Sequence, residues 1–316
     1  MKHVLKITVI ILSMFLVTQF IGLYIINSYQ PERIIDGEKI NATSPDLPLG
    51  LQSPEIEPGQ SLRILPLIIT AFLIAIILML LLSKLKINFV LRAWFFVVVT
   101  IALTISFNAI TSRTLNNPEI IALLVALPLA FMKVYKRNIL IHNFTELLIY
   151  PGIAVIFVPL LSISAIVILL IILSAYDMWA VWHSGIMQKM AKFQMNDLKV
   201  FGGFFVPYLS KEIREKIKKL KKTKSKNKKG FKVHVAALGG GDVCWTLIPA
   251  GIALKTFGFV TIGSVLVPLA SIFVILGATI ALTLLQIFSK KDKFYPAMPF
   301  LTSGIFLGFI LSYLVL

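Results

Sequence analysis

Nearly unbroken apolar runs recur along the whole chain, the first from about Ile7 to Ile26 and the last from about Phe294 to Val315. About 20 apolar residues make a helix that crosses the roughly 30 Å of bilayer hydrocarbon. Every peptide group inside lipid must be satisfied within its own segment, so such runs fold as helices. Hydrophobic residues are 58% of the 316 and charged ones only 14%, too few to cover a soluble surface. The sequence therefore predicts an all-α polytopic membrane protein.

Further runs lie at roughly Leu62 to Ser83, Phe89 to Thr111, Ile120 to Met132, Phe144 to Leu160, Leu161 to His183, 233 to 257 and Phe259 to Ile287, which makes nine transmembrane helices. Pro159 marks the break between the fifth and sixth. Lys2 and Lys6 ahead of the first run read as the flank of an uncleaved anchor. With the N-terminus in the cytoplasm, 26 of the 31 Lys and Arg residues fall inside, leaving only Arg33, Lys39, Arg63, Arg113 and Lys255 outside. That bias places the N-terminus in the cytoplasm and the C-terminus on the extracytoplasmic side. Residues 31 to 61, outside, show neither a helical nor an alternating pattern and carry the sequon Asn41-Ala42-Thr43.

Most of the formal charge of +17 sits in one cytoplasmic loop, 184 to 232, which fits a bilayer with anionic headgroups and argues against nucleic acid. Within it, 188 to 199 continues the sixth helix and 201 to 206 is rich in β-formers. Residues 209 to 220 form a basic interfacial helix, and 221 to 229 a lysine-rich tether. A single cysteine, Cys244, and four histidines without ligand spacing leave no cofactor or metal to expect.

Of 14 acidic residues, only Asp177 and Asp242 fall deep within apolar runs; Glu119 and Glu146 sit at span ends within reach of headgroups. A buried Asp costs about 2.5 to 3.5 kcal/mol on insertion scales and marks a functional position by default. The two spans flank one loop and run antiparallel, so a rise of about 1.5 Å per residue sets both carboxyls some 10 to 14 Å from the same face. No Lys or Arg lies mid-span to pair with either. Gly239, Gly240 and Gly241, read as helix interior, each cost about 1 kcal/mol relative to Ala and admit a close backbone and water. From the residues alone, hydrolysis, proton-coupled transport and an inert hydrogen bond all remain open.

Tyr176-Asp177, Gly239-Gly240-Gly241-Asp242 and Pro296-Ala297-Met298 follow one another on the sixth, seventh and ninth spans. They resemble the YD, GxGD and PAL signatures of the presenilin and signal peptide peptidase family of intramembrane aspartyl proteases, and most resemble its compact archaeal homologues. Met298 stands where the family usually has Leu. The resemblance covers the chain and implies one protease domain, 1–316: spans one to six (1–183), the basic loop (184–232), and spans seven to nine (233–316).

It implies that Asp177 and Asp242 are the catalytic pair of an aspartic endopeptidase, and that Tyr176, the three glycines, Pro296, Ala297 and Met298 shape the site and position substrate. Transmembrane peptides or signal-peptide remnants, in the cell membrane, are the implied substrates. Such a substrate must unwind, and 201 to 206 or 231 to 235 are expected to offer it an edge strand. Gly304 and Gly308 form a small-residue pair that packs either within the chain or across a homo-oligomer. The alternative is a proton-coupled transporter or ion leak using the same aspartates, although no internal repeat marks one.

Overall fold

The computed structural model describes residues 5–52, 59–85, 87–136, 138–184, 193–194, 200–208, 234–289 and 295–316. The basic helix and tether expected over 209 to 229, and most of 188 to 199, lie outside the described residues. Among those described, the helices are α1 (Leu5–Ser28), α2 (Ser61–Lys84), α3 (Asn88–Thr111), α4 (Pro118–Tyr135), α5 (Ile139–Leu160), α6 (Ile163–Trp179), α7 (Gly240–Phe257), α8 (Leu269–Phe288) and α9 (Met298–Val315). Eight of them are long and apolar enough to cross a membrane. The other is α7, whose apolar sequence is diluted by Asp242, Lys255 and three glycines.

Three antiparallel hairpins interrupt the helices: β1 (Glu32–Ile35) with β2 (Glu38–Asn41), β3 (Gly203–Tyr208) with β4 (His234–Gly239), and β5 (Val260–Ile262) with β6 (Val265–Val267). β3 falls where 201 to 206 was read as rich in β-formers; the other strands correct expectations. Residues 31 to 61 contain a two-residue turn at Asp36-Gly37, both with positive φ (49° and 85°), which sets the right-handed twist of a tight hairpin. Residues 259 to 268, expected to begin the eighth helix, turn back at Gly263 (φ 65°) before α8 starts. Residues 234 to 239, expected to open the seventh span apart from the candidate edge strand at 231 to 235, are a strand, so the glycine triplet sits at a strand-to-helix junction and not in a helix interior.

α7 is the central helix, packed against α1, α5 and α8. Its buried face runs from Val243 through Thr246 to Leu254. Polar side chains fasten it: buried Gln19 of α1 donates to Val243 O at 3.1 Å, and Ser271 of α8 to Ala250 O at 2.8 Å. At the end of α7 away from β4, Phe259 N donates to Ile34 O (2.8 Å) and Asp36 N to Phe259 O (2.9 Å). The Asp36 carboxylate accepts from the Thr261 hydroxyl at 2.5 Å and the Thr261 N–H at 2.7 Å, and these bonds, the hydroxyl's first, hold its pKa below the usual value. Gly258 (φ 70°) makes the turn possible, since a β-carbon there would strike Ile34.

The Gly304 and Gly308 pair packs inside the chain. α8 and α9 approach so closely that a β-carbon on either glycine would meet backbone atoms of α8, at Gly277 and Val274.

Candidate active site

Asp177 lies on α6 one turn before Ala180–Ser184, a π-helical continuation of the helix, and is buried at 6% exposure. The backbone at the start of α9 partners it: Met298 N donates to Asp177 Oδ2 at 3.0 Å. The first N–H groups of any helix lack intrahelical acceptors and carry the positive end of its dipole, so a carboxylate suits them. Pro296 and Ala297 deliver the chain to that point. One turn earlier on α6, Ser174 shares a 2.8 Å hydrogen bond with Thr302 of α9. These two contacts close α6 onto α9.

Asp242 occupies the first turn of α7, directly after the glycine triplet. Its carboxyl interacts electrostatically with Asp177. The three glycines meet three different surroundings. A β-carbon on Gly239 would sit 3.3 Å from Asp242 Oδ2, one on Gly240 would collide with the Tyr150 ring, and one on exposed Gly241 would touch nothing nearer than Trp245 at 3.9 Å. Tyr176, by contrast, is 37% exposed and tilts its ring against Trp179 at 6.2 Å.

The β3–β4 hairpin leads straight into this turn. Gly240 N donates to Gly202 O at 3.1 Å, and the register pairs Phe204 with Leu238 and Val206 with Ala236. In an antiparallel ladder, alternate residues turn their peptide groups inward and outward. Gly203, Phe205 and Pro207 therefore face outward from β3, and Val235, Ala237 and Gly239 outward from β4. Side chains of α5 fill the β3 edge: Asn143 exchanges two bonds with Phe205 (2.8 and 2.9 Å), and His142 Nε2 donates to Gly203 O at 2.8 Å. Pro207 has no N–H to offer. Of the two edges expected to receive a peptide, β3's is occupied. On β4, residues 235, 237 and 239 have no backbone partner among the described residues on that side.

The model of the signal-peptide peptidase and presenilin aspartyl protease family matches residues 48–316. The chain belongs to this family. Two solved structures of a presenilin family intramembrane aspartate protease share its fold. One, in space group C222, gives a TM-score of 0.60 at 16% identity over 98% of this chain and 99% of that one. The other, in P2, gives 0.55 at 17% over 97% of each. Comparison with curated proteins finds no match. As a family member the chain is an aspartic-type intramembrane endopeptidase and a multi-pass integral membrane protein, with transmembrane substrates in a lipid bilayer.

This protease also holds a polar cluster that the sequence reading missed. Lys133 of α4 pairs with Glu146 of α5, with side-chain exposures of 2% and 1%, and Lys133 Nζ lies 3.3 Å from His142 Nδ1. Glu146 thus faces the protein interior, not headgroups. The signal was faint: Lys133 and Glu146 lie at different distances from the turn joining α4 and α5, and the long lysine side chain spans the difference in height. Among the described residues, no group of three or more His, Cys, Asp or Glu is placed to hold a metal.

Proposed function

We propose that Asp177 and Asp242 are the catalytic pair, and that the enzyme hydrolyses peptide bonds of transmembrane segments or signal-peptide remnants. The observation that carries this reading is that α6 and α7 bring two carboxyls within electrostatic reach of each other, at the end of β4 whose outer edge has no backbone partner among the described residues. Two interacting carboxyls in low dielectric share one proton and titrate as a pair. The ionised member takes a proton from water as the water oxygen bonds to the peptide carbonyl carbon, while the protonated member hydrogen-bonds the carbonyl oxygen. A proton then passes to the amide nitrogen and the C–N bond breaks, leaving a carboxylic acid and an amine.

A substrate helix hides its peptide groups and must unwind locally to be cut. The outward groups of Val235, Ala237 and Gly239 supply hydrogen bonds that offset this unwinding, as a strand added to a sheet edge. The strand then runs toward Asp242. Exposed Gly241 leaves room beside it, and Pro296, Ala297 and Met298 hold Asp177 and line the far side. In this reading α7 also spans the bilayer, giving nine spans, with the N-terminus in the cytoplasm of a cell-membrane protein and residues 184 to 232 against anionic headgroups. Neither the fold nor the comparisons support the transporter.

The test uses purified enzyme in bilayers with a model transmembrane substrate. Cleavage should vanish in both Asp177→Ala and Asp242→Ala while thermal stability persists. Undiminished proteolysis in either variant removes the assignment.

A further inference from the structure

The β3 edge is closed by a helix, and the manner of closure is specific. The Asn143 carboxamide behaves like a peptide group: Nδ2 donates to Phe205 O and Oδ1 accepts from Phe205 N, as a neighbouring strand would. Beside it, the His142 ring donates to Gly203 O and stacks on Phe205 at 5.0 Å. A carbonyl only accepts, so Nε2 carries the proton and Nδ1 receives Lys133, whose charge is balanced by Glu146. One turn beyond Glu146, Tyr150 lies against Gly240 and edge-on to Phe204 at 6.1 Å. α5 thus grips both strands of the hairpin at its end nearest α7, at Gly203 and Phe205 on β3 and at the junction of β4 with α7.

We propose that His142 and Asn143 are positioning residues that set the register of the substrate strand. They fix β3, β3 fixes β4, and the outward edge of β4, free of backbone partners among the described residues, fixes which peptide bond stands at Asp242. The buried Lys133–Glu146 pair holds His142 in the required tautomer. A strand advances about 3.4 Å per residue, so a hairpin free to slide or tilt by that distance presents a neighbouring bond to the same carboxyls. This rests on the protease reading above and assigns its precision of cleavage to α5.

The experiment is the full-length enzyme with a model transmembrane substrate, its products mapped by mass spectrometry. Asn143→Leu removes both bonds to Phe205 at similar volume; Asn143→Asp keeps acceptance from the N–H and loses donation. The expected result for Asn143→Leu is new cleavage positions one to three residues from the original, with KM raised about fivefold and kcat within about twofold. Asn143→Asp falls between it and the unsubstituted enzyme. Original cleavage positions in original proportions, with or without a fall in kcat, overturn the proposal, because a merely structural defect lowers activity without moving the cut. If Asn143→Leu does not fold, Asn143→Asp decides by the same criteria. The protease reading fails separately, if cleavage survives Asp177→Ala or Asp242→Ala.

Discussion

Gly240→Ala and Gly241→Ala are neighbouring changes of one methyl group with opposite expected outcomes. At Gly240 the methyl carbon would stand 2.8 Å from Cε1 and 2.9 Å from Cζ of Tyr150, and nearer still to its oxygen. Carbon atoms at rest keep about 3.5 to 4 Å, so relief requires a movement of roughly 1 Å. Tyr150 cannot supply it freely, since it is 5% exposed and held by Phe204. The first turn of α7 must give instead, and Asp242 is two residues on. Overpacking of this kind costs about 1 to 3 kcal/mol of stability, and a catalytic group displaced by about 1 Å loses on the order of 100-fold in rate. At Gly241 the methyl meets no protein atom closer than 3.9 Å and gains helix propensity of up to about 1 kcal/mol, yet it projects where substrate would lie. Thermal unfolding in detergent, paired with cleavage kinetics, separates the two. Gly240→Ala should lower both melting temperature and kcat, whereas Gly241→Ala should melt no lower and raise KM. Equal destabilisation by the two, or full activity in Gly240→Ala, would refute the account of the junction.

Lys133→Met takes the ammonium partner from buried Glu146, leaving the His142 ring at 3.6 Å, and should cost about 3 to 5 kcal/mol, most of it recovered in Lys133→Met/Glu146→Leu; a double variant no more stable than the single would show that the pair is not the cause. Asp36 is fully exposed, and its lowered pKa gives a sign: the clamp on the end of α7 is at full strength above the unfolded carboxyl value, about 3.9, and weakens as pH falls through the folded one. Amide exchange at Thr261 should accelerate below about pH 4 relative to Phe259 and lose that pH dependence in Asp36→Asn, and a flat ratio in the unsubstituted protein speaks against the clamp. Gly304→Leu pushes α9 off α8 and should lower both melting temperature and proteolysis, because α9 also carries the N–H that reaches Asp177; wild-type melting would contradict the helix contact.

Long apolar runs made most helices legible, with boundaries within a few residues for α1, α2, α3 and α9. The hairpins were harder, because a strand of apolar residues such as Val235-Ala236-Ala237-Leu238 has the composition of a helix, and periodicity cannot separate them over six residues. Asp36-Gly37 was a readable turn signal inside a loop taken as structureless. For the candidate site, the order of the three motifs pointed to Asp177 and Asp242. It could not reveal that Asp177 meets the backbone of Met298, since that bond depends on where α9 begins. His142 and Asn143 were hidden for a related reason. They lie ahead of the apolar run that marks the fifth span, and only the tertiary fold makes them partners of β3.

The bond from Met298 to Asp177 ties one member of the proposed pair to α9. A nascent polypeptide still on the ribosome, with α6 and α7 already inserted, lacks that donor until translation has passed Met298. On the proposed reading, hydrolytic competence arrives only with α9, which would shield half-made copies from digesting their neighbours, and truncation ahead of Ala297 should yield an inserted but inert protein.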